Sequence, residues 1–421
     1  MKLKYFLLAW VSFGKKNLRS YFTLNFIIKG FGVATLLSIF IFLSIFEISY
    51  FSLVGCFLAI FGLYLLLKSD KQIWFWSGFF SGILWFYWIS FSLIYYGFWY
   101  LIPVEILGIG FIYAFIFLVC GYFSNLIIRA SLLVLLGYFY PFNFNWFNLE
   151  LIFVDTIFKP QIWTLAAVLA GLVCTIKFRY GVAVLICALL ISINLDKKTP
   201  NLLPFSVELA NTKIPQSIKW ERSYKDELIS ENLKIIDNAI GKNASLVVLP
   251  ESAFALFLDH QKELLEYLKE KSKRISIVTG SLGYENGTSY NSTYLFLNGD
   301  VKRLDKVILV PFGEEIPLPK FATNLINKIF FNGNKDFGAA KEVSDYEIGG
   351  VKIRNAICYE ATRDEIYANN PKFVIAITNN GWFVPSTEPT LQEILLKYYA
   401  YKYNTTIYHS VNGSPSKIIT P

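Results

Sequence analysis

The fold of the first half is decided by the stretch KQIWFWSGFFSGILWFYWISFSLIYYGFWYLIPVE, residues 71–105, which has no charged side chain between Lys71 and Glu105. About 20 consecutive apolar residues cross the hydrocarbon core of a bilayer, so this run accommodates one complete span and the beginning of another. Comparable apolar runs lie on both sides of it. Their succession favours membrane spans over the alternative, buried core helices of a large soluble protein.

The same pattern predicts seven membrane-spanning segments in the first half of the chain. We place them at 27–46, 48–67, 73–96, 102–125, 126–142, 157–176 and 179–195. The fifth segment is short, and Pro141 ends it. The opening stretch Tyr5–Phe13 is too short to cross, and no small-residue cleavage site follows it. We therefore expect an interfacial segment there and not a cleaved signal.

The charge of the chain is divided unevenly between its two halves. The whole chain has a net charge of +8, and 17% of its residues are charged, against roughly a quarter in an ordinary soluble domain. Residues 1–198 contain 14 Lys/Arg and 6 Asp/Glu, whereas residues 199–421 contain 25 of each. A basic protein first suggests a nucleic acid partner, but an excess confined to the apolar half argues against one.

This excess of Lys and Arg predicts the orientation in the membrane. With a cytoplasmic N-terminus, the inner segments carry most of the basic residues and the outer loops are mainly acidic. That asymmetry follows the positive-inside rule. Seven spans then place everything after residue 200 on the far side of the membrane. We therefore expect a transmembrane domain over residues 1–200 and a second domain, outside the cytoplasm, over 201–421.

The chain offers few residues for a disulfide or a metal site. Of its five cysteines only Cys358 lies in the second half, and a lone cysteine cannot form an internal disulfide. His260 and His409 are the two histidines, which argues against a His-rich metal site. The sequence also lacks a P-loop and a dinucleotide-binding fingerprint, so we expect neither a metal nor a cofactor.

From about residue 205 the pattern changes to short apolar runs separated by polar helices. The runs predict strands at 244–249, 275–279, 292–297, 307–310, 353–357, 373–378 and 406–409. The segments between them predict helices at 223–240, 260–273, 361–370 and 388–403. Strands that alternate with helices indicate a layered α/β domain.

Three reactive side chains lie at or beside the ends of these predicted strands. Glu251 follows the first strand, Lys306 precedes the fourth, and Cys358 ends the fifth. Ligands of α/β sheets bind at the carboxyl ends of strands, so a carboxylate, an ammonium and a thiol are expected to converge.

The chemistry of this trio is coherent. A cysteine attacks as the thiolate, whose formation is favoured by a nearby cation such as Lys306 or by the N-terminus of the helix predicted after Cys358. Glu251 is suited to take the thiol proton, and Lys306 with the backbone N–H of Tyr359 to hold an oxyanion. Each residue alone has a plainer interpretation: a small core cysteine, a solvated turn glutamate and a surface lysine.

The motifs around the trio are more specific than the trio itself. VVLPESA at 247–253, Lys306 ahead of LVPFGE at 309–314, and ICYE at 357–360 resemble the Glu–Lys–Cys signature of the nitrilase superfamily. Within it, the sequence is most similar to the apolipoprotein N-acyltransferase family. IPQSIKW at 214–220 and TNNGWF at 378–383 support this, and the clear matches run from about 210 to 385.

The resemblance implies a role for each catalytic residue. Glu251 would be the general base, Lys306 the oxyanion stabiliser and Cys358 the nucleophile that accepts the acyl chain. Glu314 would orient Lys306.

It also implies roles for residues around the catalytic trio. Tyr359 would help form the oxyanion hole, and Glu360 would support the site. Trp220 and Trp382 would line the pocket or a lid, with a simple packed aromatic as an equal alternative.

The family fold implied by the resemblance is a four-layer αββα sandwich carried on a transmembrane bundle. The implied reaction has two steps. The cysteine takes an acyl chain from a phospholipid, and the α-amino group of a diacylglyceryl-cysteine at the N-terminus of an apolipoprotein then receives it. We therefore expect a monomeric, multi-pass enzyme of the inner membrane, with membrane lipids around its spans, no nucleic acid partner and its catalytic domain on the periplasmic side.

The chain departs from the family at its end, and two other functions stay open. It stops at Pro421, where the family continues to a final transmembrane helix, so the resemblance predicts a domain tethered from one end only. One alternative is a membrane-tethered amidase or hydrolase of the nitrilase type, in which water resolves the thioester. The other is a transporter or receptor with a degenerate domain. That alternative has little support, because Lys29 and Glu105 are the charged residues that lie deep in the clearer predicted spans, too few for an ion or proton pathway.

Overall fold

The structure is a computed structural model that describes residues 21–196, 198–320, 323 and 336–421. The chain forms two compact units. The first runs to Phe139 and resumes over Phe147–Leu195, and the second comprises Tyr140–Trp146 and Asp196–Pro421. The predicted interfacial segment Tyr5–Phe13 lies outside the described residues.

The first unit consists of apolar helices. Their bounds are α1 Leu24–Ser44, α2 Ser49–Lys68, α3 Lys71–Phe86, α4 Ile102–Tyr122, α5 Leu126–Leu135, α6 Ile162–Lys177 and α7 Gly181–Ile191. Short turns extend α3 to Tyr95 and begin α4 at Trp99. Four helices, α1 to α4, are long and apolar enough to cross a membrane. The shorter α5, α6 and α7 lie where the last three spans are predicted, and their crossing stays a prediction.

Glycines bring α3 and α4 into close contact. A Cβ atom added to Gly78 would lie 2.3 Å from the carbonyl oxygen of Tyr113 on α4, and one added to Gly82 would lie 2.9 Å from the Tyr113 side chain. Small residues four positions apart let helix backbones approach where lipid supplies no hydrophobic driving force.

Arg129 of α5 satisfies backbone carbonyls at the ends of two other helices. Its buried guanidinium donates to Leu67 O at 2.9 Å and Ser69 O at 2.8 Å, at the end of α2. It also donates to Gly121 O at 2.9 Å and Phe123 O at 2.6 Å, at the end of α4. The last carbonyls of a helix have no partner within it, so one side chain stabilises both helix ends.

The second unit contains two six-stranded sheets. The first sheet has the order β1-β3-β5-β6-β7, with β4 beside β5, and the second has the order β12-β11-β10-β9-β8, with β2 beside β11. The strands are β1 Val207–Leu209, β2 Asn211–Thr212, β3 Leu246–Val248, β4 Phe254–Phe257, β5 Ser276–Glu285, β6 Thr288–Leu297, β7 Asp300–Asp305, β8 Asp345–Ile348, β9 Val351–Ile357, β10 Phe373–Asn379, β11 Thr406–Asn412 and β12 Lys417–Ile419. Both central trios, β1-β3-β5 and β9-β10-β11, are parallel.

The two sheets pack face to face and helices cover their outer sides. Val248 and Val278 of the first sheet share a core with Ile357 and Ile375 of the second. Helices α8 Lys225–Gly241 and α9 Lys262–Ser272 pack on the first sheet, and α10 Glu388–Tyr403 packs on the second. The predicted helical membrane domain and αββα sandwich are thereby confirmed.

Two predicted elements are wrong, for the same reason. Residues 307–310 do not form a strand, because the N–H groups of Val307 and Ile308 donate to the Glu360 carboxylate and not to a neighbouring strand. The predicted helix 361–370 is replaced by the turns Cys358–Thr362 and Asp364–Tyr367. In both segments, side chains form hydrogen bonds with backbone N–H or C=O groups that a strand or a helix would use for its own hydrogen bonds.

We expect Arg129→Met to lower the stability of the membrane unit by about 3 kcal/mol, because it leaves buried carbonyls without a donor. The measurement is the thermal unfolding midpoint of the purified protein in detergent. Arg179→Met is the matched control, because Arg179 is exposed and stacks on Tyr180. Equal midpoints for the two variants would contradict the role assigned to Arg129.

Candidate active site

Cys358 stands at a sharp turn at the carboxyl end of β9. It begins the turn Cys358–Thr362, and its backbone has φ = 54°. Positive φ is uncommon for residues other than glycine, and such strain concentrates at functional sites. Ser252, next to Glu251, has φ = 50°, and Phe312, two residues before Glu314, has φ = 63°. Strained backbone therefore occurs on three of the segments that form the site.

The thiol of Cys358 is half-buried and surrounded by charge. Burial raises the pKa of the thiol well above its ordinary value; Glu251 raises it further, and Lys306 acts in the opposite direction. A five-residue turn replaces the helix expected after Cys358, and burial outweighs the opposing effect of Lys306 on the thiol pKa. The proton must therefore be removed during the reaction.

The Glu251 carboxylate is held by two donors. It lies past the end of β3 and is 7% exposed. Its Oε1 accepts from Asn291 Nδ2 at 2.7 Å, and its Oε2 accepts from the backbone N–H of Asn379 at 2.9 Å. Donors to both oxygens fix the carboxylate plane, which a general base needs.

Asn291 joins two carboxylates. Besides Glu251, the same Nδ2 donates to Glu314 Oε1 at 2.7 Å. Asn291 is a buried residue of β6, and its backbone carbonyl accepts from the N–H of Lys306 at 2.9 Å. Sequence reasoning missed it, because an asparagine within a strand resembles no catalytic motif.

Lys306 follows β7 and has a fully buried ammonium. Its Nζ lies 2.7 Å from Glu314 Oε2 in an ion pair, yet finds no acceptor in hydrogen-bonding geometry among the described residues. Burial acts to lower the pKa of Lys306, but the neighbouring carboxylates, Glu314 and then Glu251 foremost, raise it above its ordinary value. Lys306 is therefore a permanent cation with N–H bonds available to an incoming oxygen.

Glu360 connects the cysteine turn to the Lys306 segment. Its Oε1 accepts from the N–H of Ile357 at 2.8 Å, and its Oε2 from Val307 at 2.9 Å and Ile308 at 3.1 Å. Burial raises the pKa of Glu360 to about 7, against the opposing effects of Lys306 and these three donors. The carboxyl group holds the segments of Lys306 and Cys358 at a fixed separation.

The side chain of Tyr359 is anchored by the segment Tyr140–Trp146. Its hydroxyl donates to Asn143 O at 2.8 Å, and its ring stacks on Phe144 at a centroid distance of 5.5 Å. Trp146 Nε1 donates to Thr362 Oγ1 at 2.7 Å at the end of the same turn. These contacts fix the turn whose second residue is predicted to supply an oxyanion N–H.

Lys219 is a second buried cation that sequence reasoning passed over, although it lies in a quoted motif. It is 1% exposed, and its Nζ donates to the backbone carbonyl of Glu251 at 3.1 Å. Burial lowers the pKa of Lys219 to about 8, although Glu251 and Cys358 both act to raise it. The sequence did contain a signal for Lys219, because a lysine between two apolar residues is a candidate for burial.

The two tryptophans lie at the ends of short turns in the same unit. Trp220 follows the turn Gln216–Lys219 and is 42% exposed, and Trp382 ends the turn Asn380–Trp382 after β10. Their role in the pocket or a lid stays a prediction.

Comparison with known proteins shows the family of the chain. A family model described as the apolipoprotein N-acyltransferase integral membrane domain matches residues 24–196, and a carbon–nitrogen hydrolase model matches residues 214–405. Fold and site thus define a membrane-embedded protein of the carbon–nitrogen hydrolase class. The chain is 43% identical to apolipoprotein N-acyltransferase of Wolinella succinogenes, over 92% of this chain and 94% of that one. It is 38% identical to that of Campylobacter jejuni, over 100% and 96%. The chain belongs to the apolipoprotein N-acyltransferase family and is an acyltransferase.

Among solved structures, the second unit is similar to a CN-hydrolase superfamily protein from Xanthomonas campestris. The match has 15% sequence identity and a TM-score of 0.37, and it covers 50% of this chain and 77% of that one.

The charges around Cys358 predict opposite effects for two substitutions on its alkylation. Glu251→Gln removes a charge that raises the thiol pKa, so the rate near pH 7 should increase. Lys306→Met removes a charge that lowers the thiol pKa, so the alkylation rate should fall. A change of one pKa unit alters the thiolate fraction about tenfold. The measurement is the iodoacetamide rate at the Cys358 peptide by mass spectrometry between pH 6 and 10.

Glu285→Gln serves as the control for this pair, because Glu285 is exposed and pairs with Arg303 away from the site. If Glu251→Gln and Lys306→Met shift the pH curve in the same direction, the electrostatic assignment is wrong.

Proposed function

We propose that the chain moves an acyl chain from a phospholipid to the α-amino group of the diacylglyceryl-cysteine that begins an apolipoprotein, with Glu251, Lys306 and Cys358 as catalytic residues. The observation that carries this is the Asn291 bridge. One amide holds the base Glu251 and the partner of Lys306 in a single network beside the thiol.

In the first step Glu251 takes the proton of the Cys358 thiol, and the sulfur attacks the ester carbonyl of the phospholipid. The ammonium of Lys306 and the backbone N–H of Tyr359 stabilise the oxyanion that forms. The ester C–O bond then breaks, and the leaving oxygen takes the proton from Glu251. The products are a thioester on Cys358 and a lysophospholipid.

In the second step the acceptor amine attacks the thioester carbon. An α-amino group has a pKa near 8, so part of it is neutral at pH 7. Glu251 takes a proton from the attacking nitrogen, the C–S bond breaks, and the sulfur recovers that proton. The products are an amide on the apolipoprotein and the free thiol, ready for another cycle.

Glu314 and Glu360 act as positioning residues in this scheme, whereas Tyr359 contributes its backbone N–H to the oxyanion hole. Glu314 orients Lys306 through the 2.7 Å ion pair, and Glu360 holds the turn of Cys358 against the Lys306 segment. We assign Trp220 and Trp382 to the walls of the acyl or acceptor pocket.

Both substrates are lipids, which supports a catalytic unit joined to membrane helices. We assign the protein to the inner membrane with residues 201–421 on the periplasmic side, in agreement with the excess of Lys and Arg in the inner segments. Every group named in the mechanism comes from one chain, which supports a monomer as the active unit. A hydrolase of the same class would need no lipid-facing half.

We expect wild-type protein incubated with phosphatidylethanolamine alone to gain the mass of one acyl chain on the Cys358 peptide. Cys358→Ala should gain none and should lose all acylation of a diacylglyceryl-cysteine peptide, because Cys358 is the one cysteine of residues 199–421. Intact-protein and peptide mass spectrometry in detergent micelles provide the readout.

The unfolding midpoint of Cys358→Ala, expected to equal that of the wild type, controls for folding. Transfer of an acyl chain by this variant would refute the assignment of the nucleophile. Acylation of Cys358 only after acceptor is added would refute the two-step order, and release of free fatty acid without acceptor dependence would favour the hydrolase.

A further inference from the structure

Glu388 is a buried carboxyl group that none of the steps above uses. It begins α10 and is 2% exposed. Its backbone N–H donates to Ser386 Oγ at 3.1 Å, but its side-chain Oε2 has no hydrogen-bond partner among the described residues. Leaving a buried acceptor unsatisfied is costly, so such an atom requires an explanation.

The position of Glu388 relates it to the reacting atoms. Helix α10 packs against the turn Cys358–Thr362. The carboxyl group of Glu388 interacts electrostatically with the carboxylate of Glu251 and with the thiol of Cys358. A charged group close to Glu251 and Cys358 therefore also interacts with Glu388.

A second acceptor without a donor lies one helical turn along. Gln392 is 1% exposed, and its Oε1 likewise has no partner among the described residues. Residues four positions apart lie on the same side of a helix. Glu388 and Gln392 therefore lie on one face of α10, each with an unsatisfied oxygen.

Two buried acceptor oxygens that lack donors indicate a ligand that supplies hydrogen-bond donors. A primary ammonium has three N–H donors and no acceptor, so it satisfies both oxygens and neutralises a carboxylate. A phosphate, which carries negative charge and acceptor oxygens, is repelled. The substrates offer two ammonium groups: the α-amino group of the acceptor and, where the donor is phosphatidylethanolamine, its head group.

The reacting amine fits this position better than a head group does. It must come within bonding distance of the thioester carbon on Cys358, whereas a head group is separated from the reacting ester by the glycerol and phosphate. Burial and the nearby Glu251 raise the pKa of Glu388 well above its ordinary value, so a cation beside it would stabilise the ionised carboxyl group. An ammonium bound there supplies this charge, and it passes one proton to the Glu388 carboxylate before its neutral nitrogen attacks the thioester.

We propose that Glu388, with Gln392 beside it, binds the α-ammonium of the acceptor and so selects a free N-terminal amine for the second step. The inference rests on the proposed function, since it assigns the acceptor side of the same site. It separates the two steps: Cys358 takes its acyl chain without Glu388, and only the transfer from Cys358 depends on it.

The test uses the full chain in detergent micelles with Glu388→Gln, which keeps the shape and removes the carboxylate, and Glu388→Asp, which keeps the charge. Glu393→Gln is the matched control. Glu393 lies on the same helix but pairs with Lys397 at 3.0 Å and Lys417 at 2.8 Å.

Three quantities are measured for each variant. They are the rate of Cys358 acylation from phosphatidylethanolamine and from phosphatidylglycerol, the KM for a diacylglyceryl-cysteine peptide, and the inhibition constant of the same peptide without its α-amino group.

For Glu388→Gln we expect both acylation rates to stay within roughly two-fold of the wild type and the acceptor KM to rise about 10- to 100-fold, the usual range for a lost charged hydrogen bond. The inhibition constant of the desamino peptide should be unchanged, because that peptide has no group for Glu388 to bind. Glu388→Asp should recover part of the lost KM, and Glu393→Gln should match the wild type throughout.

Several results would overturn the proposal. An unchanged acceptor KM refutes ammonium binding, and equal losses in acylation and transfer indicate a structural role. A loss of acylation from phosphatidylethanolamine but not phosphatidylglycerol assigns Glu388 to the donor head group. Failure of the wild type to acylate Cys358 at all would instead refute the proposed function, so the two failures are distinguishable.

Discussion

The hydrogen bonds of the Asn291 side chain are the constraint on which the rest of the site depends. The amide nitrogen of this residue faces two carboxylates at 2.7 Å each, Glu251 and Glu314. Glu251 is the proposed base that transfers the proton, and Glu314 forms the ion pair with Lys306. Because like charges repel, a donor shared by the two carboxylates offsets part of their repulsion. The two catalytic functions therefore share one structural support.

The electrostatics of the site follow from burial. Lys219 and Lys306 bring two ammonium groups, and three carboxyl groups act on Lys306: Glu314, Glu251 and Glu360. Lys306 keeps its proton because carboxylates surround it, whereas burial lowers the pKa of Lys219 and raises that of the Cys358 thiol.

The sequence was sufficient for the parts of the site that follow local rules. Glu251 and Cys358 stand at the ends of parallel strands, where topology alone brings side chains together. Asn291, Lys219 and Glu388 could not be found in this way, because their importance arises from contacts between distant segments. The wrong strand at 307–310 has the same origin. An apolar run predicts a strand only if its N–H groups find another strand, and here Glu360 takes them.

The segment Tyr140–Trp146 gives the chain an unusual connectivity. It leaves the helical unit after Phe139, joins the sandwich and returns at Phe147, before the chain enters the sandwich again at Asp196. A fragment that starts at Asp196 would therefore contain the whole catalytic trio but not the Asn143 carbonyl that receives the Tyr359 hydroxyl. The catalytic half is not a self-contained module, and cutting the gene at the apparent domain boundary would separate the nucleophile from part of its own support.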